Sequence, residues 1–293
     1  MMSKREKKSN AETTDYEAAF HELMKRKMRD GLSIEDRIRH LVFAIVDSSC
    51  PLHEYASRTP SVQKVSYLIG EIEEGDRQSS PVRDAMFKLS GRLGILNQTS
   101  DQVKLRIAMP QPHEVAAINE LRFDMERLAL IRLHRMEDKG RKNAIIESLT
   151  LANYEMDAVS KLSESYRAKG EELSQKFTSD PGVGDWADRF WKRDIRFHCF
   201  PSLETASSVG ADLLQILLER MRISASDRQK IVERIPTSVA EHARIIETVA
   251  KTPAANSEQD IDLALRDHLR SSNEYFGLDI GGGGKGPAPS VPR

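Results

Sequence analysis

Four residues in the C-terminal half of the chain carry side chains suited to a single cation. Asp194-Ile-Arg-Phe-His198 places a carboxylate and an imidazole four residues apart, which sets both on one face of a helix within reach of the same ion. Glu241-His242 opens a segment whose apolar face is Ile245, Ile246 and Val249, and Asp267-His268-Leu269 lies inside the last helical pattern. Asp194, His198, His242 and His268 together form a set of one carboxylate and three imidazoles. Such borderline-hard donors suit zinc, nickel, cobalt or manganese and leave positions for water or a carboxylate ligand, whereas calcium demands more oxygen atoms. Each element alone is unremarkable, since Asp-x-x-x-His is a common spacing and a lone histidine on a half-apolar helix usually ligates nothing. Their recurrence on three amphipathic helices of one half is what points to a site.

The elements that must hold these residues are helices. Apolar periodicity predicts helical segments at about 113–138, 142–177, 184–199, 205–223, 236–252 and 257–276, with few strand signals, hence an all-helical bundle. Upstream, Ile38, Leu41, Val42, Ile45 and Val46 recur at helical spacing, as do Met86, Leu89 and Leu93. Alternation appears at Val103-Lys-Leu-Arg-Ile107, after the turn cluster Asn97 to Asp101 and with Ile95 and Leu96 as the partner strand, so a small β-hairpin is expected. Met109-Pro-Gln-Pro112 then breaks all periodicity, because proline cannot donate a backbone hydrogen bond and restricts the residue before it. The expected organisation is a polar tail over 1–15, a small domain over 16–110, a helical domain over 111–278 and a Gly/Pro-rich tail over 279–293.

At 293 residues the chain is long enough for two cores. Its 44 Lys/Arg against 45 Asp/Glu exclude any whole-molecule attraction to nucleic acid or membrane, so DNA binding would need a local basic surface. Even residues 1–110 hold only 18 Lys/Arg against 16 Asp/Glu. The two cysteines, Cys50 and Cys199, lack the spacing of a disulfide framework or a cysteine zinc site, which fits a reducing, cytoplasmic setting. No apolar run follows the basic opening residues or reaches membrane-spanning length, so no membrane partner is expected.

The local basic surface is the string Ser80-Pro-Val-Arg-Asp-Ala-Met-Phe-Lys-Leu-Ser-Gly-Arg-Leu93. Ser80 can cap a helix and Pro81 fits its first turn. Val82, Ala85, Met86, Leu89 and Leu93 face a core, leaving Arg83, Lys88 and Arg92 to meet phosphates or base edges. Charges at helical spacing are more often a solvated face; what favours a DNA role is the order of helices closing with a hairpin, as a winged helix-turn-helix requires.

This string resembles the recognition helix of GntR-family regulators, matching at Pro81, Val82, Arg83, Ala85 and Leu89. Ser79 departs from it where the family usually has a DNA-contacting arginine, and Gly70-Glu-Ile-Glu-Glu-Gly-Asp76 is acidic where an apolar turn is expected. The second half resembles the FCD ligand-binding domain of the FadR subfamily, with its Asp-x-x-Phe-His, its Glu-His before an Ile-rich face and its late His-Leu. The resemblance implies a mainly α fold in which Asp194, His198, His242 and His268 bind a divalent metal, zinc or nickel foremost. It also implies that Arg122, within Glu114 to Glu126, binds the carboxylate of a small organic-acid effector, and that a homodimer reads a double-stranded operator. Two rival readings are a metal-dependent hydrolase with Glu241 as general base, and a helical partner-binding protein that has lost DNA recognition.

Overall fold

The computed structural model describes residues 4–47, 50–55, 59–75, 80–93, 96–99, 102–107, 109–168, 186–224 and 228–277. The first module comprises α1 (Lys4–Arg29), α2 (Ile34–Val46), a 3-10 turn (Pro51–Glu54), α3 (Val62–Leu68), α4 (Ser80–Leu93) and the strands β1 (Leu96–Thr99) and β2 (Gln102–Leu105). The second comprises α5 (Pro112–His134), α6 (Lys139–Ala168), α7 (Trp186–Thr205), α8 (Ser208–Ser224), α9 (Arg228–Ala250) and α10 (Ser257–Phe276). The fold is therefore mainly α: a winged helix-turn-helix followed by an all-α bundle.

Local chemistry explains the element boundaries. Ser33 caps α2 by accepting from Asp36 N at 3.1 Å, and Ser61 caps α3 by accepting from Lys64 N at 3.3 Å. At the start of α5 the backbone N–H of Gln111 donates to Glu114 Oε2 at 2.7 Å, anchoring the helix directly after the proline-rich segment. Gly70 follows α3 at φ +77°, and a Cβ there would lie 2.9 Å from Lys25 N, so glycine permits both the left-handed turn and the close approach of α1.

The hairpin pairs Leu96 with Leu105 and Thr99 with Gln102 in antiparallel register. Leu105 N also donates to Pro60 O at 2.9 Å, tying the wing to the segment before α3. Beneath it, Ile38, Leu41, Val42 and Ile45 of α2 pack with Leu68, Val82, Met86, Leu89 and Leu105 in one fully buried cluster. Each such side chain contributes about 1.5–3 kcal/mol by leaving water.

Several expectations change. Asn97 to Thr99, expected in the turn, belong to β1 and pair with Lys104, Val103 and Gln102, and the helix expected from 236 already starts at Arg228. The segment expected to be an unstructured tail up to residue 15 instead belongs to α1, which starts at Lys4. Its helix formers, free of Gly and Pro, extend a helix already anchored by buried Phe20 and Met24. The acidic turn after α3 does not stand as a bare negative surface: Glu71 pairs with the buried Arg37, and Glu73 lies 2.6 Å from Lys25 Nζ. The tail expected over 279–293 lies outside the described residues.

The two modules meet through α2, α7 and α8. Asp188 of α7 pairs with Arg222 of α8 on one oxygen, while its Oδ2 lies 2.7 Å from His40 Nδ1 of α2. The Arg222 guanidinium lies over the Phe43 ring at 3.5 Å, and Ile223 joins the core of the first module. Among the described residues no helix is long and apolar enough to cross a membrane.

Candidate metal centre

Helix α7 delivers Asp194 and His198, α9 delivers His242 and α10 delivers His268. The apolar faces of these helices pack into one core with Phe197, Ile245, Val249, Leu265 and Leu269, and this burial turns the polar residues between them toward a common point. His198, His242 and His268 are buried, and one ring nitrogen from each lies within 4.8 Å of the others. Asp194 Oδ1 lies 3.5 Å from His242 Nε2 and 3.8 Å from His198 Nε2. All four residues singled out from spacing thus meet at one place.

Orientation comes from two carboxylates. His198 Nδ1 lies 2.6 Å from Glu126 Oε2, and His268 Nδ1 lies 2.8 Å from Glu241 Oε2. An ionised carboxylate can only accept, so each Nδ1 carries the hydrogen and each Nε2 keeps its lone pair, the tautomer a metal ligand needs. Glu126 is held in turn by Arg122, and Glu241 by Arg234 Nη2 at 2.6 Å. Phe197 stacks on His242 with ring centroids 4.1 Å apart, fixing the third imidazole by packing.

The electrostatics follow from burial. Loss of water pushes the His198 and His242 imidazoles well below their usual range and His268 below it too, so all are neutral at pH 7. Burial likewise raises the Asp194 carboxyl to about 7, with Glu126 reinforcing the rise and Arg122 opposing it. Burial pushes Glu126 upward, yet the adjoining Arg122 draws it back, and the ionised form satisfies both Arg122 and His198.

Whether a cation fits is decided by groups left without partners. His198 Nε2 and both ring nitrogens of His242 are buried with no hydrogen-bond partner. An unsatisfied buried polar group costs about 1–3 kcal/mol, so three in one cluster call for an occupant. Ligand nitrogens on one zinc ion sit at most about 4.2 Å apart, twice the bond length of about 2.1 Å. A 4.8 Å spread therefore closes with small side-chain rotations.

The remaining sequence-derived residues lie as follows. Arg122 is buried, but Glu126 engages its guanidinium, one turn away on the same helix. The void beside His198, bounded by Glu126, Leu130 and Phe197, has only about 10 Å³, room for about one water. Glu241, considered as a general base, is occupied by His268 and Arg234. In α4, Val82, Ala85, Met86 and Leu89 are buried while Ser80, Arg83 and Lys88 are exposed, as the pattern required. Lys88 Nζ lies 3.4 Å from Glu35 but stays largely in solvent. Ser79 and the side chain of Arg92 lie outside the described residues.

Sequence reasoning missed Glu126 as the partner of His198, Glu241 as the partner of His268, and Arg234 altogether. Glu126 stands four residues after Arg122, a spacing that could have marked the pair. Nothing local marks Arg234, which reaches Glu241 from about two turns before it. Three other histidines make structural contacts: His53 Nδ1 meets Ile45 O at 2.8 Å, His134 Nδ1 meets Val249 O at 3.1 Å, and His21 stacks on Tyr67.

A helical bundle following a winged helix-turn-helix is an arrangement that solved structures share. Lar, which controls expression of the Listeria monocytogenes agr system and mediates virulence, is similar over 84% of this chain and 97% of its own, with 12% identity and a TM-score of 0.51. E. coli McbR/YncC is similar over 83% and 96%, with 11% identity and a TM-score of 0.50. At such identities the likeness establishes the fold. No protein-family model and no curated protein matches the sequence.

Proposed function

We propose that this chain is a DNA-binding transcription regulator of the GntR type whose helical domain binds a divalent metal through Asp194, His198, His242 and His268. The observation that carries the reading is the meeting of those side chains, from three helices, in a buried cluster with unpartnered ring nitrogens. The nitrogen-rich donor set favours zinc or nickel. The exposed Arg83 and Lys88, together with Ser80 and Arg92 on α4, supply the DNA contacts, with the β1–β2 hairpin as the wing.

The effector in this reading is a small carboxylic acid that takes the open metal positions and the Arg122 guanidinium. Since Glu126 holds Arg122 and also orients His198, an incoming carboxylate competes for Arg122 and disturbs that pair. A ligand with different affinity for the two resulting arrangements shifts their populations, and α7 carries the change to the DNA-reading module. The protein acts as a cytoplasmic homodimer on an operator with half-sites about one helical turn apart. The hydrolase alternative lacks a free base, because Glu241 is engaged on both sides.

The test joins elemental analysis with duplex selection. Purified protein should carry about one zinc or nickel per chain, His242→Ala should lose it, and the wild type should enrich a two-fold symmetric duplex from a random pool. Metal retained in His242→Ala removes the proposed site, and a pool left unenriched removes the operator.

A further inference from the structure

A second place where chemistry gathers lies away from the metal cluster, in the cleft where the two modules face each other. Helices α2, α7 and α8 enclose about 360 Å³ there, within the range of small-molecule sites. Helix α7 serves both places: Asp194 and His198 turn into the bundle, while Lys192, Ile195, Arg196 and Cys199 line the cleft.

The charges in the cleft do not cancel. Its three carboxylates are already held by cations: Asp36 lies 3.5 Å from Arg39, Glu219 lies 3.6 Å from Arg39, and Asp188 pairs with Arg222. Lys192 and Arg196, one turn apart on α7, are exposed and have no ion-pair partner among the described residues. Like charges at this spacing repel, and the helix gains nothing from placing them together. Between the charges lie the Ile195 side chain and Phe43, a buried ring with the Arg222 guanidinium over one face that still borders the cleft. The Cys199 side chain joins this lining.

We infer that the interdomain cleft binds a small dianionic metabolite with an apolar body, a dicarboxylate or a phosphate monoester, held by Lys192 and Arg196 with its body against Phe43 and Ile195. Two cations one turn apart match two anionic oxygens, and the concave wall excludes a long polyanion such as a DNA strand. Because Phe43 belongs to the DNA-reading module and Lys192 and Arg196 to the bundle, the ligand contacts both modules. It therefore favours the arrangement in which they are docked. This site is distinct from the metal centre and does not depend on the regulator reading, since its binding is measured without DNA.

The experiment is calorimetric titration of the full chain with phthalate and, separately, with phenyl phosphate, two dianions with similar apolar bodies and different headgroups. At least one should bind the wild type, and the stronger of the two identifies the headgroup class. The Lys192→Ala/Arg196→Ala variant, altered only at exposed positions, should bind that probe at least about tenfold more weakly, while His242→Ala should bind it as the wild type does. Arg196→Gln alone, which keeps the side-chain volume, should show an intermediate loss. The inference is overturned if neither probe binds, if the double variant binds like the wild type, or if binding disappears in His242→Ala, which would place the ligand at the metal centre.

Discussion

Asp194→Asn should stabilise the metal-free protein and weaken it as a metal binder, and these opposite signs come from one carboxylate. Burial raises the Asp194 carboxyl from 3.8 to about 7. At about 1.4 kcal/mol per pH unit, this rise means that the ionised carboxylate disfavours the metal-free fold by roughly 4 kcal/mol above pH 7. The sign is set by proton binding: between about pH 4 and pH 7 the folded chain holds a proton that the unfolded chain has released. This group's contribution to stability is therefore largest at low pH and falls as pH rises toward 7. Asparagine cannot ionise, so the difference between variant and wild type should grow over that window and level off above it. The neutral histidines act in the other direction, because acidification below about 6.5 protonates them in the unfolded chain first and removes stability. They are common to both proteins and cancel in the comparison. The assay is denaturant unfolding of chelator-treated and zinc-loaded protein at pH 5 and pH 8. Metal-free Asp194→Asn should exceed the wild type by a few kcal/mol at pH 8 and by less at pH 5, and zinc should stabilise the variant less. A metal-free variant weaker than the wild type at pH 8, or one with undiminished stabilisation by zinc, would refute the reasoning.

Other consequences are equally direct. Glu126→Gln leaves His198 without its carboxylate partner and should weaken zinc binding about 10- to 100-fold in competition with a chromophoric chelator, with the fold preserved by circular dichroism. Asp188→Ala removes a buried carboxylate that both Arg222 and His40 engage in the interdomain joint and should cost about 3 kcal/mol, seen as a lower denaturation midpoint and faster proteolysis between the modules. Arg83→Ala, at an exposed position, should leave thermal stability unchanged while reducing affinity for a selected duplex about tenfold, read by fluorescence anisotropy at fixed salt.

Much of this architecture is legible in one dimension because it rests on local periodicity. The spacing of Val82, Ala85, Met86 and Leu89 identifies the buried face of α4, the alternation ending at Ile107 identifies the wing, and the prolines after Met109 mark the passage between modules. The last helix, expected at 257–276, runs Ser257–Phe276. The four candidate ligands were legible through the resemblance of their local strings to the FCD pattern rather than through periodicity alone. Sequence is weakest where order depends on distant anchoring, as in α1, whose polar first half is helical because Phe20 and Met24 hold its second half in the core. Relations between helices remote in sequence were decided by tertiary structure alone. His198 finds Glu126 from 72 positions away. Arg222 reaches Asp188 across 34, and the interdomain cleft exists only because α2 packs against α7 and α8. Periodicity states which face of a helix turns inward, but the partner waiting there is chosen by how whole helices pack, and that choice has no local signature.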